Sequence, residues 1–421
     1  FTGVTLGTII VIILDNRNPV KTIAWILVLL FLPWVGLVFY FFFGRNTRRE
    51  KIIERKIYDR ILKKPMAAYE EQEPGEVDHE YSRMMRLFWD TNQALPFEGN
   101  QVDVYTDGYT KLTALIKELY KAKEHIHLQY YIFVDDAVGR IVRDVLIDKA
   151  KEGVEIRVLY DDVGSWKTSN IFFEEMRDAG IEVRSFLKVR FPVFTSRVNY
   201  RNHRKIVVID GKVGCVGGMN LEERYIKGFS WGIWRDAHLR IKGKAVHGLP
   251  TSFLLDWYFV DRTLLTSTCY FPHIEAYGNS VIQIVTSDPV GPWKVIMQGL
   301  TMAITGAQKY IYIQTPYFLP TDTILAALQT AALAGVDVRL MIPKKADSII
   351  THWGSRSYLS DILSAGVKVY IYEIGFIHSK LMVWDDELST VGSKNIDFRS
   401  FEHKFEVTAF KYDMETALML T

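Results

Sequence analysis

The sequence predicts an α/β fold made of two copies of one unit, preceded by an N-terminal transmembrane helical hairpin. Three observations carry that prediction. Short β-branched or aromatic runs alternate with helical patterns, four blocks recur in the same order along the 421-residue chain, and two long uncharged stretches open it. The formal net charge of +2 is too small for a bulk field that would attract nucleic acid, so any basic surface must be local.

The opening stretch, FTGVTLGTIIVIIL, is apolar from Phe1 to Leu14, and TIAWILVLLFLPWVGLVFYFFFG, Thr22 to Gly44, carries no charge. At about 1.5 Å per residue the second stretch reaches across the roughly 30 Å hydrocarbon layer, with a kink expected at Pro33. Asn18-Pro19 breaks the polar turn between them, so residues 1–44 are expected to form the hairpin. Arg45, Arg48, Arg49 and Lys51 crowd the far end, against Arg17 and Lys21 in the turn. This bias predicts a multi-pass protein of the cell membrane with its bulk in the cytoplasm.

Residues 45–98 are expected to hold a basic amphipathic helix and a connector. From Arg45 to Lys64 there are nine Lys/Arg against three Asp/Glu, with Ile53, Ile57 and Ile61 on a four-residue period that suits anionic headgroups. The Glu-rich segment Ala67 to Val77 then leads into the repeats.

The first half, 99–265, reads KAKEHIHLQYYIFVDD, KEGVEIRVLYDDVGS, DAGIEVRSF and NHRKIVVIDGKVGCVGGMN. The second, 266–421, reads GAQKYIYIQTPYFLPTD, LAGVDVRLMIPKKADS, SAGVKVYIY and IHSKLMVWDDELSTVGSKN. Helices are expected between the blocks, as where Leu112, Leu115, Ile116 and Leu119 share a face. Gly153, Gly180, Gly335 and Gly366 fit helix C-terminal positions that need positive φ. The two cysteines, Cys215 and Cys269, have no metal-ligand spacing and suggest no disulfide framework.

His203, Lys205 and Asp210 occupy the same relative positions as His378, Lys380 and Asp385. Side chains two apart on a strand point the same way, so each His and Lys share a face at the head of a buried strand. Seven residues beyond each Asp come Gly217-Gly218-Met219-Asn220 and Gly392-Ser393-Lys394-Asn395. Asn220, Ser393 and Asn395 are therefore candidate hydrogen-bond donors to an anionic group, which the resemblance given below makes a phosphate, with glycine permitting close backbone approach.

The pattern HxKxxxxDxxxxxxG[GS]xN, present twice, resembles the phospholipase D superfamily. The apolar hairpin, YIFVDD, YDDVGS, QTPYFLP, GSKNIDFRS and WRDAHLRI further resemble bacterial cardiolipin synthases, over essentially the whole chain. That resemblance implies two phospholipase D-like α/β/α sandwich halves packed around one shared site. It also implies a phosphatidyl-histidine intermediate with His203 as nucleophile and His378 as general acid and base, lysines and asparagines offsetting phosphate charge, and neither metal nor other cofactor.

Phosphatidylglycerol is then donor and acceptor, cardiolipin and glycerol the products, an anionic membrane the setting, and no nucleic acid a partner. Asp236 and Glu406 stand where related proteins carry acids that orient the histidines. Asp210 and Asp385 count with the catalytic motif, although local anchoring suits them better. One departure is that His403-Lys404-Phe405 precedes Glu406 where synthases often read Leu-x-Glu or Asn-x-Glu.

The chemistry alone leaves hydrolysis to phosphatidic acid and transfer to another alcohol open. A noncatalytic scaffold would predict a broken motif, and both copies are intact. The oligomeric state also stays open, a homodimer being one option. The aromatic and basic segment Phe186 to Asn202, together with Trp231, Trp234 and His352-Trp353, offers candidate surface for a bilayer.

Overall fold

The computed structural model describes residues 2–15, 19–40, 81–188, 200–289 and 291–413. The expected basic helix after Arg45, the connector Ala67 to Val77 and most of the Phe186 to Asn202 segment lie outside the described residues.

One continuous sheet organises both halves. From one edge its strands run Glu182–Phe186, Glu155–Asp161, His125–Tyr130, Ile206–Ile209, Val213–Gly217, His238–Lys242 and Pro96–Tyr105. Across the seam follow Ser280–Ser287, Lys404–Tyr412, Leu388–Gly392, Leu381–Trp384, Tyr310–Gln314, Asp337–Pro343 and Lys368–Tyr372. The order reads alike from both edges. In each half three parallel strands meet antiparallel ones, and the halves join where Phe97 lies opposite Ile282 and Asn100 opposite Ser280.

The strands IVVI and LMVW are buried at every residue, which is why they read as unbroken apolar runs rather than alternating ones. Helices cover the sheet. Gly153, Gly180, Gly335 and Gly366 each end a helix with φ between +87° and +97°, a region that a Cβ strains.

The two helices that precede the seam strands exchange places. Ser82–Asn92, which falls within the expected connector 45–98, buries Met84, Met85 and Phe88 in the core of the second half, with the Phe88 ring seated on Gly299. Gly248–Asp261, which precedes the other seam strand, buries Leu249, Phe253 and Trp257 with Ile206 and Leu239 of the first half. The halves are thereby interlocked rather than merely adjacent.

The N-terminal residues depart from an uninterrupted spanning helix. Helices Thr2–Asp15, Pro19–Phe31 and Pro33–Phe39 form instead, and the chain breaks at Leu32 (φ −132°, ψ 63°). Pro33 supplies no N–H and its ring disfavours a helical residue before it. The third helix folds back so closely that a Cβ on Gly36 would sit 3.0 Å from the Val28 carbonyl oxygen. Ile12, Leu29 and Tyr40 form the small core of the three helices. Among the described residues no helix is long and apolar enough to cross a membrane.

Candidate active site

Two short parallel pairings cross between the halves and set the site. Arg201–Asn202 pairs with Lys404–Phe405, and the His203 amide donates to the Phe405 carbonyl at 2.9 Å. Gly375–Ile377 pairs with Ile233–Arg235, and the His378 amide donates to the Arg235 carbonyl at 2.6 Å. Each histidine thus follows a strand whose partner leads directly into an acid of the opposite half, Glu406 or Asp236.

The side chains complete what the backbone registers. His203 Nδ1 lies 3.1 Å from Glu406 Oε2 and 3.0 Å from the Ser393 carbonyl oxygen. Both neighbours only accept, so Nδ1 carries the proton and Nε2 keeps its lone pair. His378 Nδ1 lies 2.6 Å from Asp236 Oδ2 and 2.8 Å from Lys380 Nζ. The lysine already donates to the His378 carbonyl oxygen, so the Nδ1 proton goes to the carboxylate. Among the described residues neither Nε2 has a hydrogen-bond partner, which leaves both atoms available for chemistry.

Burial sets the charge state. His203 is held well below the usual imidazole range by desolvation, then by Lys205, Lys404 and Lys380. His378 falls to about 4 from burial and Lys380, against the opposing pull of Asp236. Lys205 is lowered well below the usual range, and Lys380 to about 8, again chiefly by burial. Glu406 is raised by burial and drawn back by Lys404 and Lys205. Two desolvated lysines beside two neutral imidazoles make a site that gains when an anion enters.

The expected phosphate donors divide. Asn395 buries its carbonyl oxygen without a partner, and among the described residues no hydrogen bond engages its side-chain amide nitrogen. Asn220 is half engaged, accepting from the Ile132 amide at 3.1 Å and donating to Tyr225 Oη at 2.7 Å. Ser393 is not available as expected. Its hydroxyl donates to Glu406 Oε2 and accepts from the Val407 amide at 3.1 Å. It steadies the acid rather than facing a ligand.

The glycines act likewise. A Cβ at Gly218, the counterpart of Ser393, would sit 2.2 Å from Asp236 Oδ1, so the small residue makes room for the acid and not for a ligand.

Asp210 and Asp385 do not belong to the site. Each ends its strand in a left-handed conformation, roughly 20 Å along the chain from its histidine. Asp210 accepts the amides of Lys123, Glu124 and His125, and Asp385 those of Gln308, Lys309 and Tyr310. These carboxylates cap the start of the neighbouring strand in each half, an anchoring contact away from the paired histidines.

Several features escape a linear reading. Trp234 is buried, not a surface residue, and with Phe376, Tyr225 and Tyr317 it walls His378 at centroid distances of 5.1, 5.7, 6.2 and 6.3 Å. His203 meets Tyr131 at 4.9 Å. Lys394 buries an ammonium with no hydrogen-bond partner, 4.5 Å above the Phe401 ring, and lines a small cavity with Lys380, Thr315 and Thr408. Only its place in GSKN, opposite Met219 of GGMN, hinted at it. Among the described residues no group of three or more His, Cys, Asp or Glu is placed to hold a metal ion.

Comparison with known proteins follows the same lines. Residues 115–232 and 300–421 match the family described as cardiolipin synthase, PLD-like domain, and residues 3–45 match the phospholipase D-nuclease N-terminal family. The chain is 43% identical to the major cardiolipin synthase ClsA of Bacillus subtilis (strain 168) over 99% of its own length and 88% of the relative's. It is also 43% identical to the cardiolipin synthase of Geobacillus kaustophilus over 96% and 82%.

Among solved structures, phosphatidylserine synthase of Haemophilus influenzae superposes with TM-score 0.57 at 16% identity, covering 80% of this chain and 88% of that one, a likeness of fold. With two PLD-like domain matches and relatives at 43% identity over nearly the whole chain, the chain belongs to the cardiolipin synthase family of PLD-like proteins.

Proposed function

We propose that the protein is a phosphatidyltransferase that makes cardiolipin from two molecules of phosphatidylglycerol, and that it works at an anionic membrane. The observation that carries this is the reciprocal pairing of each motif histidine with an acid of the other half, within a chain whose relatives are cardiolipin synthases. His203 Nε2 attacks the phosphorus, the bond to the glycerol oxygen breaks, and His378 Nε2–H gives that oxygen its proton. The terminal hydroxyl of a second phosphatidylglycerol then loses its proton to His378 and attacks, the P–N bond breaks, and cardiolipin leaves. One phosphodiester replaces another, so no nucleotide is consumed.

The empty site starts with both imidazoles neutral. An anionic phosphodiester beside Lys380 offsets the one cation that, after burial, depresses His378, so the proton needed by the leaving alcohol is favoured with substrate present. The aromatic wall around His378 supports placing the glycerol there, since its C–H faces pack on rings while its hydroxyls reach Tyr225 and Tyr317. The amides of Asn220 and Asn395 are the remaining donors to the phosphate oxygens.

The N-terminal helices leave Leu14, Phe31 and Trp34 exposed, which supports their burial in lipid, with the bulk of the chain cytoplasmic as the flanking arginines favour. The deciding experiment supplies purified protein with phosphatidylglycerol vesicles alone. Cardiolipin and glycerol in equal amounts are expected; phosphatidic acid in their place would make the protein a hydrolase.

A further inference from the structure

Two exposed apolar prongs flank the site at equivalent places in the two halves. After the strand Glu155–Asp161 the chain exposes Trp166 (77%) and Ile171 (66%); after its counterpart Asp337–Pro343 it exposes Ile349 (78%), Ile350 (83%) and Trp353 (67%). In helix Ile349–Ser357 these three share one face, while Ser355 on the other is buried and accepts the Phe318 amide at 3.0 Å.

Each prong is tied to a catalytic histidine through a single tyrosine. Ser165, beside Trp166, donates to the Tyr131 carbonyl at 3.3 Å, and the Tyr131 ring lies 4.9 Å from His203. Asp347, two residues before Ile349, accepts from Tyr317 Oη at 2.8 Å, and the Tyr317 ring lies 6.3 Å from His378.

We propose that these prongs dock the catalytic face onto the bilayer, seating Trp166, Ile349, Ile350 and Trp353 at the boundary between headgroups and acyl chains. This rests on the lipid-substrate reading given above. The occupant follows from three things. Each prong adjoins the residue that holds a tyrosine against one of the two histidines, and tryptophan is the side chain suited to that boundary. Lys167, Lys344 and Lys345 also stand exposed beside them, Lys345 lying 4.9 Å over the Trp231 ring, where they complement anionic headgroups.

The test reconstitutes the full chain into phosphatidylglycerol vesicles whose acyl chains carry bromine at known depths. Tryptophan quenching by shallow bromines is expected to lose a component in Trp166→Phe and another in Trp353→Phe. Ile349→Ser with Ile350→Ser is expected to raise KM for vesicles about tenfold and to leave kcat on short-chain monomeric phosphatidylglycerol unchanged. Unchanged quenching in both tryptophan variants, or an unchanged KM, overturns the proposal. So does a serine pair that converts a dimer to a monomer in detergent while neither tryptophan is quenched, since a second copy then covers the face. Quenching needs no turnover, so a chain that docks but forms no cardiolipin would refute the proposed reaction and leave the docking intact.

Discussion

Nδ1 of His378 lies 2.6 Å from Oδ2 of Asp236, a residue 142 positions earlier and in the other half of the molecule. His203 makes the mirrored contact with Glu406. Neither half holds a complete histidine–acid pair of its own, so duplication here builds one site and not two.

Asp236→Asn and Glu406→Gln test that division. Each keeps shape and removes the carboxylate that fixes the Nδ1 tautomer, so cardiolipin formation should fall on the order of 10²- to 10⁴-fold. Thermal unfolding should change little. A variant with full activity would remove the acid from the mechanism.

Asp210→Ala and Asp385→Ala should behave in the opposite way. Each carboxylate accepts three backbone amides at a residue with positive φ, so its loss should cost about 1–3 kcal/mol of stability. The kcat of the folded fraction should remain near that of the parent. Denaturant unfolding beside active-site titration separates the two effects.

Buried neutral histidines predict the acid side of the stability profile. His378 and His247 are each lowered to about 4, and His127, His203 and His238 are lowered as well, all chiefly by burial. Between about 4 and 6.5 the unfolded chain binds more protons than the folded one. Stability from these groups is therefore complete above about pH 6.5 and lost as pH falls toward 4. The unfolding temperature should drop across that window, and a flat profile would contradict the burial assigned here.

Lys394→Met copies the residue that the first half carries as Met219. Burial lowers the Lys394 ammonium to about 7, so wild-type stability is penalised at and below that pH and regains it as pH rises toward 10.5. The variant should unfold at higher temperature at pH 7, with the gain shrinking at alkaline pH. A loss of stability at pH 7 would mean that the cavity beside Lys380 satisfies the lysine.

The sequence made part of this legible for a simple reason. A two-residue strand period puts His203 with Lys205 and His378 with Lys380, and the buried runs behind them betray the sheet. Contacts between strands far apart in the chain leave no such trace. Nothing local shows that Ser393 spends its hydroxyl on Glu406, or that Gly218 is small because Asp236 lies against it. Asp210 and Asp385 drew attention by spacing, yet seven residues of strand carry them to the opposite end of the sheet. The helix Ser82–Asn92 was read as connector because its partner in packing, around Gly299, is two hundred residues away. At the N-terminus, apolar length suggested a hairpin of two spanning helices, but Pro33 breaks the second and the chain turns back on itself.

The central claim is that His203 carries the lipid while His378 handles the proton. Incubating His378→Ala with phosphatidylglycerol, followed by rapid quenching, digestion and mass spectrometry, tests it most directly. A phosphatidyl adduct is expected on the peptide containing His203, and none in His203→Ala. An adduct on His378 in the His203→Ala variant, with His378→Ala unlabelled, would contradict it and reverse the two roles.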